Sequence, residues 1–120
     1  ADLTKIDQTC QAAGWGFTYS TVQCHIRLAA QDKGVALQQV LQQQFPDLTA
    51  HQVVTVGDSP NDEGLFEAER FPISVGVANV QHYCDRLRHL PTFITASTEV
   101  QGFQELAQVL LRAKSSAAIP

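Results

Sequence analysis

Asp58 and Asp62 stand four residues apart in VVTVGDSPNDEGLF (Val53–Phe66), where an unbroken apolar stretch gives way to small and acidic residues. Local structure accounts for part of this pattern. Gly57 permits a tight turn, Ser59 is a good helix N-cap, Pro60 suits the first helical position, and Asp62 falls at the capping-box position. Asp58 is left over. A carboxylate just past a buried strand is partly desolvated, and without a partner it costs free energy or stays protonated. A hard divalent cation removes that cost, because carboxylate oxygen is what Mg²⁺ prefers. Asn61 can offer its amide to an anion. Lys33 opens a helix, where the dipole disfavours a cation unless an anion is bound at the same place. From the residues alone, a strand, turn and capped helix and a metal and phosphate site both remain open.

The elements that must position these groups follow from hydrophobic patterning. Leu3–Ala13 reads as a short helix ended by Gly14, and Phe17–Ser20 with Cys24–Leu28 as a hairpin around Thr21, Val22 and Gln23. Lys33–Phe45 is a helix with Leu37, Val40 and Leu41 as its apolar stripe, ended by Pro46. Gln52–Val56 and Ile73–Val77 are apolar strands of the kind buried on both faces of a parallel sheet. Pro60–Ala68 and Val80–Leu87 are short helices, and Thr92–Thr95 is a third strand. Phe103–Leu111 is a last helix with Phe103, Leu106, Ala107 and Leu110 inward. From Lys33 on, helices and strands alternate, which predicts an α/β fold with a parallel sheet. The first thirty residues read as the end of another unit. In open parallel sheets ligands sit beyond the carboxyl ends of the strands, where GDSPND lies.

The chain has 120 residues, one domain's worth, and a formal net charge of -4 with no basic cluster. Nucleic acid and anionic membrane are therefore excluded as expected partners. No apolar run is long enough to cross a bilayer, and no signal peptide opens the chain. The three cysteines, Cys10, Cys24 and Cys84, make neither a disulfide framework nor a zinc pattern, so they are expected as reduced thiols in a cytoplasmic protein. His25, His51, His82 and His89 show no ligand spacing with them. The chain lacks Met and starts at Ala1. A processed initiator and a piece of a longer protein explain that equally well.

DKGVALQQVL, VVTVGDSPNDEGLF, FPISVGVANV and TFITASTEVQGFQELAQVL, in that order, resemble the C-terminal part of the haloacid-dehalogenase-like phosphohydrolases. The nearest branch carries a large α/β cap and includes sucrose-phosphate and mannosyl-3-phosphoglycerate phosphatases. The match runs from Asp32 to Leu111, and FTYSTVQCHIRL is similar to the last hairpin of that cap. The resemblance implies the C-terminal half of a Rossmann-like core at residues 32–113, the end of a cap at 1–31 and a tail at 114–120. It implies that Lys33 binds the phosphoryl group, Asp58 binds Mg²⁺, and Asp62 supports the metal shell or orients the lysine. It also implies that Asn61 touches substrate phosphate and that Ser59 joins the metal shell. The activity implied is Mg²⁺-dependent hydrolysis of a phosphate monoester, a sugar phosphate by class, through an aspartyl-phosphate.

The sequence departs from that pattern in one decisive respect. The family's nucleophile belongs to a D-x-D motif, and no two Asp residues here are separated by one residue. The isolated chain is therefore expected to be inactive, a fragment with the unpaired sheet edge that invites self-association. A non-catalytic remnant acting as a binding or interaction module is the alternative. A receiver-like domain would need its acidic residues ahead of the lysine, and here Lys33 comes first.

Overall fold

The computed structural model describes residues 3–20 and 22–118. Two sheets are present among them. The first is a hairpin in which β1 (Trp15–Tyr19) pairs antiparallel with β2 (Cys24–Leu28), Phe17 opposite Ile26. The Ser20 hydroxyl accepts from the N–H groups of Val22 and Gln23, which closes the connection. Of the three residues expected to form that turn, Thr21 lies outside the described residues. Helix α1 (Leu3–Ala12) packs on β1 and buries Cys10.

The second sheet is parallel, with strand order β3 (Thr55–Gly57), β4 (Ser74–Gly76) and β5 (Phe93–Ile94). Helix α2 (Lys33–Gln44) precedes it and α3 (Glu99–Ala118) follows. The α/β class expected from the alternation of elements is thus the observed one. The core surrounds β4: Phe66, Phe71 and Val80 are essentially fully buried, with Val75, Val77 and Tyr83 close behind. No helix among the described residues is long and apolar enough to cross a membrane.

Several local expectations are corrected. Gln52–Val56 is not one buried strand. Ala50–Gln52 is a 3₁₀ turn, pairing begins only at Thr55, and Val53 and Val54 are half-buried. Among the described residues β3 has a neighbour on one side only, so its other edge supplies no ladder to extend it. Pro60–Phe66 and Ala78–Arg86 are 3₁₀ rather than α-helical. The last helix begins at Glu99 and runs through Ala118, because no Gly or Pro interrupts residues 103–118. Phe103 and Leu110, expected inward, are 57% and 45% exposed. Helix α3 instead seats on the sheet through Gly102, which is buried against Val77 and Thr95. Val40 of α2 is likewise 46% exposed, while Leu37 and Leu41 are half-buried. The apolar stripes are real, but the described residues cover them only in part.

Candidate active site

The parallel register brings the acidic turn to the end of the sheet. Gly57 lies opposite Gly76, and the Val77 N–H continues the ladder to the Gly57 carbonyl at 2.9 Å. Asp58 and the residues after β4 therefore leave the sheet side by side, beyond the carboxyl ends of the strands. The turn after β3 is tight enough that Asp62 folds back onto Gly57. A Cβ added at Gly57 would lie 2.8 Å from both Cγ and Oδ2 of Asp62, so no larger residue fits there.

Asp62 is the hub of the site. It is buried, and both carboxylate oxygens are used. Oδ2 accepts from the Asp58 N–H at 2.8 Å, and Oδ1 accepts from the Lys33 ammonium at 2.5 Å. The Lys33 side chain is 52% exposed against 8% for that of Asp62, so the carboxylate is fixed and the ammonium reaches it from the solvent side. Lys33 is placed by the start of α2. Asp32 is the N-cap, with Oδ1 accepting from the Val35 N–H at 2.7 Å. Gly34 lies directly against the backbone of Gly64, which presses the helix start onto the acidic turn.

Asp58 is half-buried and its Oδ2 accepts from the Asn79 side-chain amide at 3.1 Å. Its Oδ1 accepts no hydrogen bond from the described residues. Ser59 occupies the N-cap position of the following 3₁₀ segment, but its hydroxyl makes no cap bond and donates to Asn61 Oδ1 instead. Asp62 likewise forms no capping box with Ser59; its carboxylate reaches one residue further back, to the Asp58 N–H. With Asn61 Oδ1 occupied by Ser59, its amide N–H groups remain as donors.

The five residues singled out from the sequence thus occupy one end of the sheet, with unequal roles. Asp62 is committed to Lys33 and to the backbone, Ser59 is buried and turned to Asn61, and Asp58 alone presents an open carboxylate oxygen. Among the described residues no three His, Cys, Asp or Glu side chains gather into a metal-holding group. A single hard oxygen donor suits Mg²⁺, which keeps several waters and takes one or two carboxylates, better than it suits an ion requiring an all-protein shell. A cleft of about 760 Å³ separates the hairpin from the core; Asp32 and Asn61 line its core side, Tyr19 and Arg27 its hairpin side. Arg86 crosses beside it to the Tyr19 hydroxyl at 2.8 Å, and that bond raises the guanidinium pKa. Asn79, Asp32 and the Arg86–Tyr19 contact were not read from the sequence. A terminal Asp before a helix was a usable signal for Asp32; the other two depend on long-range packing and left none.

Residues 24–107, well over half of the chain, match the family model described as sucrose-6F-phosphate phosphohydrolase. Two solved structures share the fold. A Thermoplasma acidophilum protein superposes with a TM-score of 0.64 at 17% identity, covering 89% of this chain and 44% of its own. The haloacid dehalogenase-like hydrolase protein yhjK from Bacillus subtilis superposes with a TM-score of 0.54 at 17% identity, covering 92% of this chain and 41% of its own. The chain therefore spans less than half the length of either structure. No curated protein matches its sequence significantly.

Proposed function

From the premise that the chain belongs to the sucrose-6F-phosphate phosphohydrolase family, within the haloacid-dehalogenase-like hydrolases, we propose that it carries half of a Mg²⁺-dependent phosphate-monoester hydrolase site. The observation that carries this reading is the linked set at the end of β3: Lys33 held by Asp62, Asp62 held by the Asp58 N–H, and Asp58 with one carboxylate oxygen open. Residues 1–31 are read as the end of a cap and residues 32–113 as the C-terminal part of the core.

Lys33 offsets charge on the transferring phosphoryl oxygens. Its pairing with a buried, doubly hydrogen-bonded carboxylate holds the ammonium in place before substrate arrives, so little reorganisation is needed during the reaction. Asn61 donates its free amide N–H to the phosphate. Asp58 supplies the carboxylate that would hold Mg²⁺, and Ser59 stands next to it. Asp62 acts by orienting Lys33 and the turn, since each of its oxygens already accepts a hydrogen bond from one of them. A bound Mg²⁺ supplies charge neutralisation at the phosphoryl oxygens. The covalent aspartyl-phosphate step needs a carboxylate from a D-x-D segment outside these residues, and the open edge of β3 is where a strand carrying it would pair. The substrate is a small phosphorylated compound, and a sugar phosphate is the class the family supports.

The test is phosphate release from a panel of sugar phosphates and an aryl phosphate, by the chain alone and by the chain joined to a D-x-D core segment. The joined protein should turn over and prefer sugar phosphates; the chain alone should not. Turnover by the chain alone, surviving repurification and lost in Asp58→Asn, would contradict the assignment of the nucleophile.

A further inference from the structure

Among the described residues, the Asn79 side chain joins the open carboxylate to the start of the last helix. It follows β4 by three residues, in the 3₁₀ segment Ala78–Arg86. Its Nδ2 donates to Asp58 Oδ2 at 3.1 Å, and its Oδ1 accepts from the N–H of Glu99, the first residue of α3, at 3.2 Å. The two partners fix which end of the amide is which, because a backbone N–H must face oxygen and a carboxylate must face N–H. A role confined to Glu99 would need only an acceptor, which Asp or Ser also provides. A carboxamide is needed only if the donor to Asp58 matters as well. The backbone around it is held independently: the Ala78 N–H donates to Thr95 Oγ1 at 3.1 Å, and Val77 to the Gly57 carbonyl.

We infer that Asn79 is a positioning residue for Asp58: it ties Oδ2 down so that Oδ1 alone faces the space where a divalent cation would bind. The inference rests on the metal reading proposed above. Hydrogen-bond partners of a ligating carboxylate restrict its rotation, and removing such partners typically weakens metal binding about 10–100-fold. The bond from Asn79 also reports on Asp58, because a cation drawing charge from the carboxylate weakens its pull on the Asn79 N–H groups.

The experiment is a MgCl₂ titration of the 120-residue chain followed by ¹H–¹⁵N NMR, with a thermal melt of each variant by circular dichroism. The Asn79 side-chain NH₂ resonances should move together with the Asp58 backbone amide and share its midpoint. Asn79→Leu should raise that midpoint about tenfold while still melting cooperatively. Should Asn79→Leu fail to fold, the wild-type NH₂ signals decide: if they stay fixed while Asp58 responds, the inference is overturned. A wild-type midpoint in folded Asn79→Leu also overturns it. Asp58→Asn separates the two readings. An unchanged midpoint in that variant overturns the metal reading and this inference with it; a weakened midpoint there, beside an unaffected Asn79→Leu, overturns this inference alone.

Discussion

Replacing Asp62 with Asn removes one charge and one lone-pair acceptor from the centre of the site without changing its shape. The consequence can be worked out from its two bonds. The Asp58 N–H now meets a neutral oxygen, so a charge-assisted bond of about 1.5–3 kcal/mol becomes an ordinary one of about 1 kcal/mol. The Lys33 ammonium faces an amide NH₂ and must leave. Since its side chain is 52% exposed, it swings into water, and the lost pair is worth no more than about 1 kcal/mol. Together Asp62→Asn should destabilise the chain by about 2 kcal/mol. For a domain of this size that is a fall in Tm of about 6–10 °C. Lys33→Met removes only the exposed partner and lets water reach Asp62 Oδ1, so its cost should stay near 1 kcal/mol. Thermal melts by circular dichroism in metal-free buffer at low and high salt measure both. The reasoning fails if Lys33→Met costs as much as Asp62→Asn, or if Asp62→Asn leaves Tm unchanged.

Gly34→Ala gains about 1 kcal/mol of helix propensity but drives a methyl into the Gly64 carbonyl, whose carbon would lie 2.9 Å away. Because that obstacle is backbone, the overpacking cost of about 1–3 kcal/mol wins; denaturant melts should show net destabilisation and ¹⁵N shifts at Lys33. Phe66→Ala opens a cavity at a side chain 1% exposed, and a loss of about 3–5 kcal/mol, a large fraction of a domain's total stability, should show as a sharply lowered denaturant midpoint followed by near-UV circular dichroism. Glu105 accepts from the Ala96 and Ser97 N–H groups at 2.9 and 3.1 Å, with Ala96 the larger cause of a carboxyl pKa held below its ordinary 4.5. A carboxyl with a lowered folded-state pKa contributes stability above its unfolded value and loses it as pH falls through the folded one. Glu105→Gln should therefore lower Tm at neutral pH, with the gap closing below 4.5.

The fold class was legible because it rests on alternation along the chain. Apolar runs at 52–56 and 73–77 separated by capped, amphipathic stretches leave few topologies other than a parallel sheet. What periodicity could not supply was the extent of pairing. β3 pairs only from Thr55 to Gly57, because a strand's length is set by its neighbours, and among the described residues it has one, β4. Periodicity is equally silent on coverage: Phe103 and Leu110 read inward, yet among the described residues they stay largely exposed. Within the site, the residue types and spacing pointed to Lys33, Asp58 and Asp62, but the division of labour among them was hidden. Nothing local distinguishes an Asp with both oxygens occupied from one with an oxygen open. Ser59 and Pro60 fit a capping pattern that the Asn61 side chain then disrupts by taking the hydroxyl. Asn79 is one asparagine in VGVANV, and only the register of two parallel strands places it beside Asp58.

The central claim is that Asp58 holds the cation and Lys33 the phosphoryl group. It is tested most directly by hydrolysis of a sugar phosphate against Mg²⁺ concentration, in the chain joined to a D-x-D core segment. Asp58→Asn should shift the Mg²⁺ dependence to higher concentration and recover part of its rate when Mg²⁺ is raised. Lys33→Met should lose about 3–4 kcal/mol of transition-state stabilisation, a rate loss on the order of several hundredfold, that no amount of Mg²⁺ restores. An Asp58→Asn enzyme with the wild-type Mg²⁺ midpoint, or a Lys33→Met enzyme rescued by Mg²⁺, would contradict the account.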